Sequence, residues 1–115
     1  MDGKIEYANN RIVIMPVYEI FGDVDMKTGN IEFRGDVIVH GNVRKGMKLF
    51  TTGTITIDGV VEASDIECKK DVLIRGGVHG GYESKIKTDG SFFAGFMEYA
   101  SVESKGQIIA ESILN

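Results

Sequence analysis

The sequence predicts an all-β fold, a right-handed parallel β-helix of about five coils with three short strands per coil. Three observations carry that expectation. Isoleucine and valine together number 25 of 115 residues, against 3 leucines and 5 alanines, and β-branched side chains favour strands over helices. Glycine stands at 15 of 115, about twice the usual ~7%, which is expected to mark turns that need positive φ. The third observation is a repeat. Residues 35–39 read G-D-V-I-V and 53–57 read G-T-I-T-I, followed by K-D-V-L-I (70–74), G-S-F-F-A (90–94) and G-Q-I-I-A (106–110). An earlier copy, V-Y-E-I at 17–20, fits the same frame.

Taken in order, the first 16 residues break that frame. Residues 4–7 and 11–15 flank Asn9-Asn10, which reads as a β-hairpin ending at Pro16. A solenoid must cover its first coil, so the division expected is a hairpin cap over 1–16 and a solenoid over 17–115. The first face of each coil is led by Tyr18, Val37, Ile55, Val72, Phe92 and Ile108, with spacings of 19, 18, 17, 20 and 16 residues. Two residues on, Ile20, Val39, Ile57, Ile74, Ala94 and Ala110 point the same way. The second face is led by Val24, Val43, Val61, Val78, Met97 and Ile113, and the third by Ile31, Leu49, Ile66, Ile86 and Val102. No coil buries its own apolar face, so rungs must stack at ~4.8 Å into one continuous core. Right-handed winding is preferred, because crossovers are right-handed by default. The positions where a left-handed hexapeptide helix wants small residues here hold Arg34, His40, Asp58 and Arg75. The chain stops at Asn115 inside the second face of its last coil, which reads either as a fragment or as an end that meets a partner.

Charge and length exclude several function classes. A net charge of −4 supplies no basic face for nucleic acid or an anionic membrane. No apolar run reaches the ~18 residues of a spanning helix, and the opening residues MDGKIEYANN lack the apolar core of a signal peptide. A single cysteine, Cys68, forms neither an internal disulfide nor a cysteine metal cluster and fits a cytoplasmic setting.

The run GDVDMKTGNIEFRGDVIVHGNVRKGMKL (22–49), with GVVEASDIE (59–67), GGVHGG (76–81), FMEYASVE (96–103) and GQIIAESIL (106–114), resembles the flagellar assembly protein A family. The likeness runs over roughly residues 11–114. It implies a bacterial cytoplasmic protein with a β-solenoid, linked to flagellar assembly and similar in architecture to the self-polymerising bactofilins. It offers no catalytic motif and implies no cofactor. The N-terminal and helical C-terminal regions common in the family are not in this sequence.

Among the residues that carry chemistry, His40 and His79 lie on different faces, two coils apart, and are not placed to share a metal. Like-column charges read as ladders: Asp25–Arg44–Glu62–His79–Glu98, Glu67–Lys87–Glu103 and Asp58–Arg75. Residues 76–81 lack the Lys and Ser/Thr of a phosphate loop. They open the longest coil, in which residues 80–85 are expected to bulge as a surface loop, with Gly80, Gly81 and Tyr82 as a partner contact. Cys68, Phe33, Thr51, Thr88 and Ser104 form one inward column, so the thiol is expected to be inert packing. The outward column of the first face is Glu19, Ile38, Thr56, Leu73, Phe93 and Ile109. An apolar stripe of Ile38, Leu73, Phe93 and Ile109 on such a domain marks an interface, and a homodimer is the expected occupant. The function expected is a non-enzymatic scaffold that binds protein partners, flagellar assembly or regulatory proteins among them. The alternatives are a bactofilin-like filament protein and a left-handed hexapeptide acyltransferase.

Overall fold

A computed structural model describes residues 3–8 and 11–114, with side chains from Pro16 to Gly80 and from Ser84 to Ser112. Among the described residues there is no helix. The chain is a parallel β-solenoid of about five turns whose rungs pair in the predicted register. Strand β1 (Gly3–Ala8) pairs antiparallel with β2 (Arg11–Ile20). The expected Asn9-Asn10 turn lies outside the described residues. Pro16 changes the partner of β2 without ending it: residues 11–16 face β1, and Val17–Ile20 stack in parallel on β4 (Asp36–Val39). Proline has no N–H to donate, so it suits a position where the ladder switches sides.

The first face continues from β4 to β6 (Ile55–Ile57) and then to the start of β9 (Val72–Thr88). The third face stacks β3 (Ile31–Phe33), β5 (Lys48–Thr51) and β8 (Asp65–Cys68) on the end of β9. The second face is thinner. It begins as the single bridges Val24↔Val43 and Val43↔Val61 and becomes a ladder only where β7 (Val60–Val61) meets β9. Strands β10 (Phe92–Ser104) and β11 (Ile108–Leu114) complete the stack. Three separate short strands therefore occur in the coil of β6, β7 and β8, and the two coils before it carry two strands and a bridge. In the last coils the extended backbone runs round the corners as the single strands β9 and β10.

The core is the predicted inward set. Val24, Val39, Val43, Ile55, Ile57, Val61, Val72, Ile74, Val78 and Phe92 are fully buried. Inward direction does not guarantee burial, however. Tyr18 and Ile108 point inward but are 40% and 46% exposed, because each has a described solenoid rung on one side only.

Glycine serves a purpose other than the expected positive φ at most corners. Gly22, Gly41, Gly59, Gly76 and Gly95 form a column in which a Cβ on each of the last four would strike the backbone carbonyl of the glycine below. At the corner after the third face a Cβ on Gly53, Gly90 and Gly106 would likewise meet the backbone carbonyls of Gly35, Lys70 and Gly90. Among the described residues positive φ is confined to Gly22, Gly29, Gly35 and Gly46, together with Tyr99 at 51°. Close backbone approach is what selects glycine here.

The register explains Tyr99. Residues 80–83 of β9 occupy the space that Tyr99 alone fills in β10, since His79 pairs with Glu98 and Ser84 with Ala100. A left-handed Tyr99 lets β10 cut that corner, at about 1–2 kcal/mol of backbone strain. The insertion is thus real, but its backbone stays extended where a loop was expected.

Candidate functional site

Each face presents a different outward surface. On the first face Ile38, Thr56, Leu73, Phe93 and Ile109 stand on successive rungs in strict register, with Glu19 below Ile38. The first four are half-buried and Ile109 is 47% exposed. Period-2 alternation fixes this direction, since their neighbours in sequence fill the core. The stripe predicted from the sequence is therefore one continuous column.

At the corner after the first face, charges converge on His40. Its Nε2 lies 2.5 Å from Glu19 Oε2 and its Nδ1 3.0 Å from Asp58 Oδ2. Asp58 also accepts from Arg75 Nε at 3.2 Å, and Phe21 stacks on the imidazole at a centroid distance of 5.0 Å. A neutral imidazole carries one N–H, so only the imidazolium serves both carboxylates. The hydrogen bonds to Glu19 and then Asp58 raise the His40 pKa above its ordinary 6.5. The cluster joins four coils, from Glu19 to Arg75, and Glu19 is a member that the column reading had assigned to the outward column of the first face.

A pH dependence follows. Because the folded-state pKa is the higher one, the clasp contributes fully below the unfolded value near 6.5 and is lost as pH rises through the raised value. The stability difference between wild type and His40→Gln is expected to shrink as pH climbs from 6 to 9. Urea melts at each pH, with the His40 ring followed by NMR, measure it. A difference that grows with pH refutes the clasp.

The other ladders keep the Arg44–Glu62 and His79–Glu98 steps and are otherwise rearranged. Arg44 pairs with Asp23 at 3.0 Å and with Glu62 at 3.8 Å. Asp25 instead closes its own turn, accepting from the N–H groups of Lys27 and Thr28. His79 pairs with Glu98 at 2.9 Å. Glu67, Lys87 and Glu103 are in register, but the ion pair that Glu67 makes is with Lys69.

Corner carboxylates and amides carry a role that the charge columns did not reveal. Asp23, Asp36, Asn42 and Asp71 each accept from a backbone N–H of the next coil, at 2.7–2.8 Å. The Asn42 N–H, with Arg44 beside it, holds the Asp23 carboxyl below its ordinary range. The visible signal was the recurrence of Asp or Asn after a corner glycine, at Gly22-Asp23, Gly35-Asp36 and Gly41-Asn42.

Cys68 is buried and its Sγ donates to the Gly53 carbonyl at 2.7 Å. Burial pushes the thiol pKa up, away from a reactive thiolate. Thr51, Thr88 and Ser104 of the same column bond corner carbonyls in the same way, so the thiol does the work of a hydroxyl.

Of the expected partner contact, Gly80 is buried against the Tyr99 backbone and offers no surface. Gly81 lies within β9. The Tyr82 side chain lies outside the described residues. Gly77 lies beneath the Phe96 ring, so close packing accounts for these glycines without a phosphate.

The third face holds a groove of about 690 Å³ between two outward rows, Lys48, Asp65 and Lys85 on one side and Glu32, Phe50, Glu67 and Lys87 on the other. The sequence reading missed it. Phe50 was the clue, as the one apolar residue in an outward column otherwise made of Glu32, Glu67, Lys87 and Glu103. Among the described residues no group of three His, Cys, Asp or Glu side chains converges as metal ligands.

Compared with known proteins, the chain matches the model of the flagellar assembly protein A β-solenoid domain over residues 16–115. No curated protein and no solved structure matches it significantly.

Proposed function

From the premise that this chain belongs to the flagellar assembly protein A β-solenoid family, we propose that it is a non-enzymatic scaffold module that joins protein surfaces. The apolar stripe of the first face is the observation that carries the reading. Large side chains stand outward on nearly every rung from Ile38 to Ile109, where wet apolar surface costs ~25 cal/mol per Å². A second copy fits it. A two-fold axis through Leu73 sets Ile38 against Ile109 and Thr56 against Phe93, a closed and self-complementary contact. In this reading the dimer works in the cytoplasm and presents its other faces to proteins of flagellar assembly or its regulation. The stiff, charge-clasped rungs hold those surfaces at fixed spacing.

Light scattering on wild type and on Leu73→Lys with Phe93→Lys tests the dimer. Wild type is expected at twice the chain mass and the double variant at the chain mass, with unchanged circular dichroism. A wild type that stays monomeric at high concentration removes the homodimer. A mass that grows steadily with concentration favours a bactofilin-like end-to-end polymer in its place.

A further inference from the structure

We infer that the groove of the third face is a second binding surface, which takes an extended peptide segment carrying a basic side chain and, about 10 Å along it, a carboxylate. The inference deepens the scaffold reading by giving the module a client face separate from the stripe. Glu32, Phe50 and Glu67 follow one another on successive rungs of one outward row, so rung spacing puts a carboxylate ~5 Å to either side of the ring. Asp65 adds a third carboxylate on the rung of Glu67. An aromatic face between carboxylates takes the stem and plane of a guanidinium or the stem of a lysine, while the acids pair with its head. The next rung carries two ammonium groups, Lys85 and Lys87. They stand two rungs beyond Phe50, or ~10 Å, the length of three extended residues.

These groups are not spent on one another. Lys48 faces Asp65, Asp65 faces Lys85 and Glu67 faces Lys87 in register. Among the described residues no ion pair within 4 Å joins them, although the His40 corner closes its contacts at 2.5–3.2 Å. Glu67 keeps its longer ion pair with Lys69 at 3.8 Å, and the heads of Lys48, Asp65, Lys85 and Lys87 can trade water for a ligand. Charge complementarity also selects the occupant. Mixed signs repel a polyanion, and a neutral sugar leaves both charge sets unmatched. A second copy of this face is the competing occupant, because a two-fold between the rungs of β8 and β9 sets Asp65 on Lys85 and Glu67 on Lys87. A groove variant whose mass in light scattering falls below that of wild type assigns the face to that copy and overturns the inference.

Amide NMR of the whole chain, titrated to millimolar concentrations, tests this. The probe is a capped Gly/Ser peptide with Arg and Glu three positions apart. Shifts are expected in β3, β5, β8 and the end of β9, with the stripe silent. Binding should weaken roughly tenfold when either peptide charge becomes Gln, or when the protein carries Phe50→Ala. Lys85→Glu with Lys87→Glu should lose the Arg/Glu peptide and gain one with two Arg. Absence of shifts, shifts centred on the stripe, or an equal response to a neutral oligosaccharide overturns the inference. Light scattering on the groove variants should give the wild-type mass, so failure here is distinguishable from failure of the dimer.

Discussion

Val39→Asp is expected to leave the chain largely unfolded at neutral pH. Val39 is fully buried, with Ile20 on the rung below and Ile57 on the rung above. An aspartate there has no partner, so it is driven to protonate. Protonating it at neutral pH costs about 4 kcal/mol, since the free carboxyl titrates about 3 units lower, and the neutral carboxyl is still a buried polar group without a partner. The sum approaches the whole stability of a typical domain at ~5–15 kcal/mol. The neighbouring substitution Ile38→Asp provides the contrast. Ile38 points outward, and its carboxylate stays wet in the monomer. Circular dichroism and urea melts should show a folded Ile38→Asp chain and a lost or strongly weakened transition for Val39→Asp. A Val39→Asp chain that melts like wild type means that the inward face is misassigned.

Gly76→Ala is expected to cost about 2–3 kcal/mol, the upper part of the range for overpacking. Its Cβ would press into the Gly59 carbonyl and sit 2.8 Å from the Gly59 carbon and 3.1 Å from Val60 Cγ2. Backbone atoms leave little room to yield. The Gly76 N–H is bonded to that same Gly59 carbonyl at 3.1 Å, and Gly59 in turn donates to Gly41. Moving one rung therefore strains the column. The urea midpoint should fall while the denaturant slope stays constant. A midpoint within error of wild type means that the rungs separate easily, and that corner glycines answer to turn formation alone.

The residues show which parts of this structure were legible in advance. Val37, Ile55 and Val72 recur at about one coil length, and β-branched residues alternating with polar ones leave a strand one buried face. That alternation also placed Ile38, Leu73, Phe93 and Ile109 on the opposite side. The Asp58–Arg75 contact was legible too, since both occupy the same corner on adjacent rungs. The glycine columns were visible as positions, but their cause was not. A corner that needs positive φ and a corner that lacks room for a Cβ look alike in sequence.

The sequence by itself determined the parallel β-solenoid, its rung register and its inward and outward faces. These depend on the two-residue period of an extended chain and on a repeat that stacks like on like, both one-dimensional properties. The tertiary structure alone decided that Glu19 belongs to His40, that Arg44 pairs with Asp23 while Asp25 turns back on itself, and that Gly80 is buried against Tyr99. It alone opened the groove around Phe50. Each of these depends on where long side chains reach across rungs some twenty residues apart in sequence, and on how an insertion in one coil is absorbed by its neighbour. Rotamer choice and coil geometry settle such contacts, and neither is written in a periodic pattern.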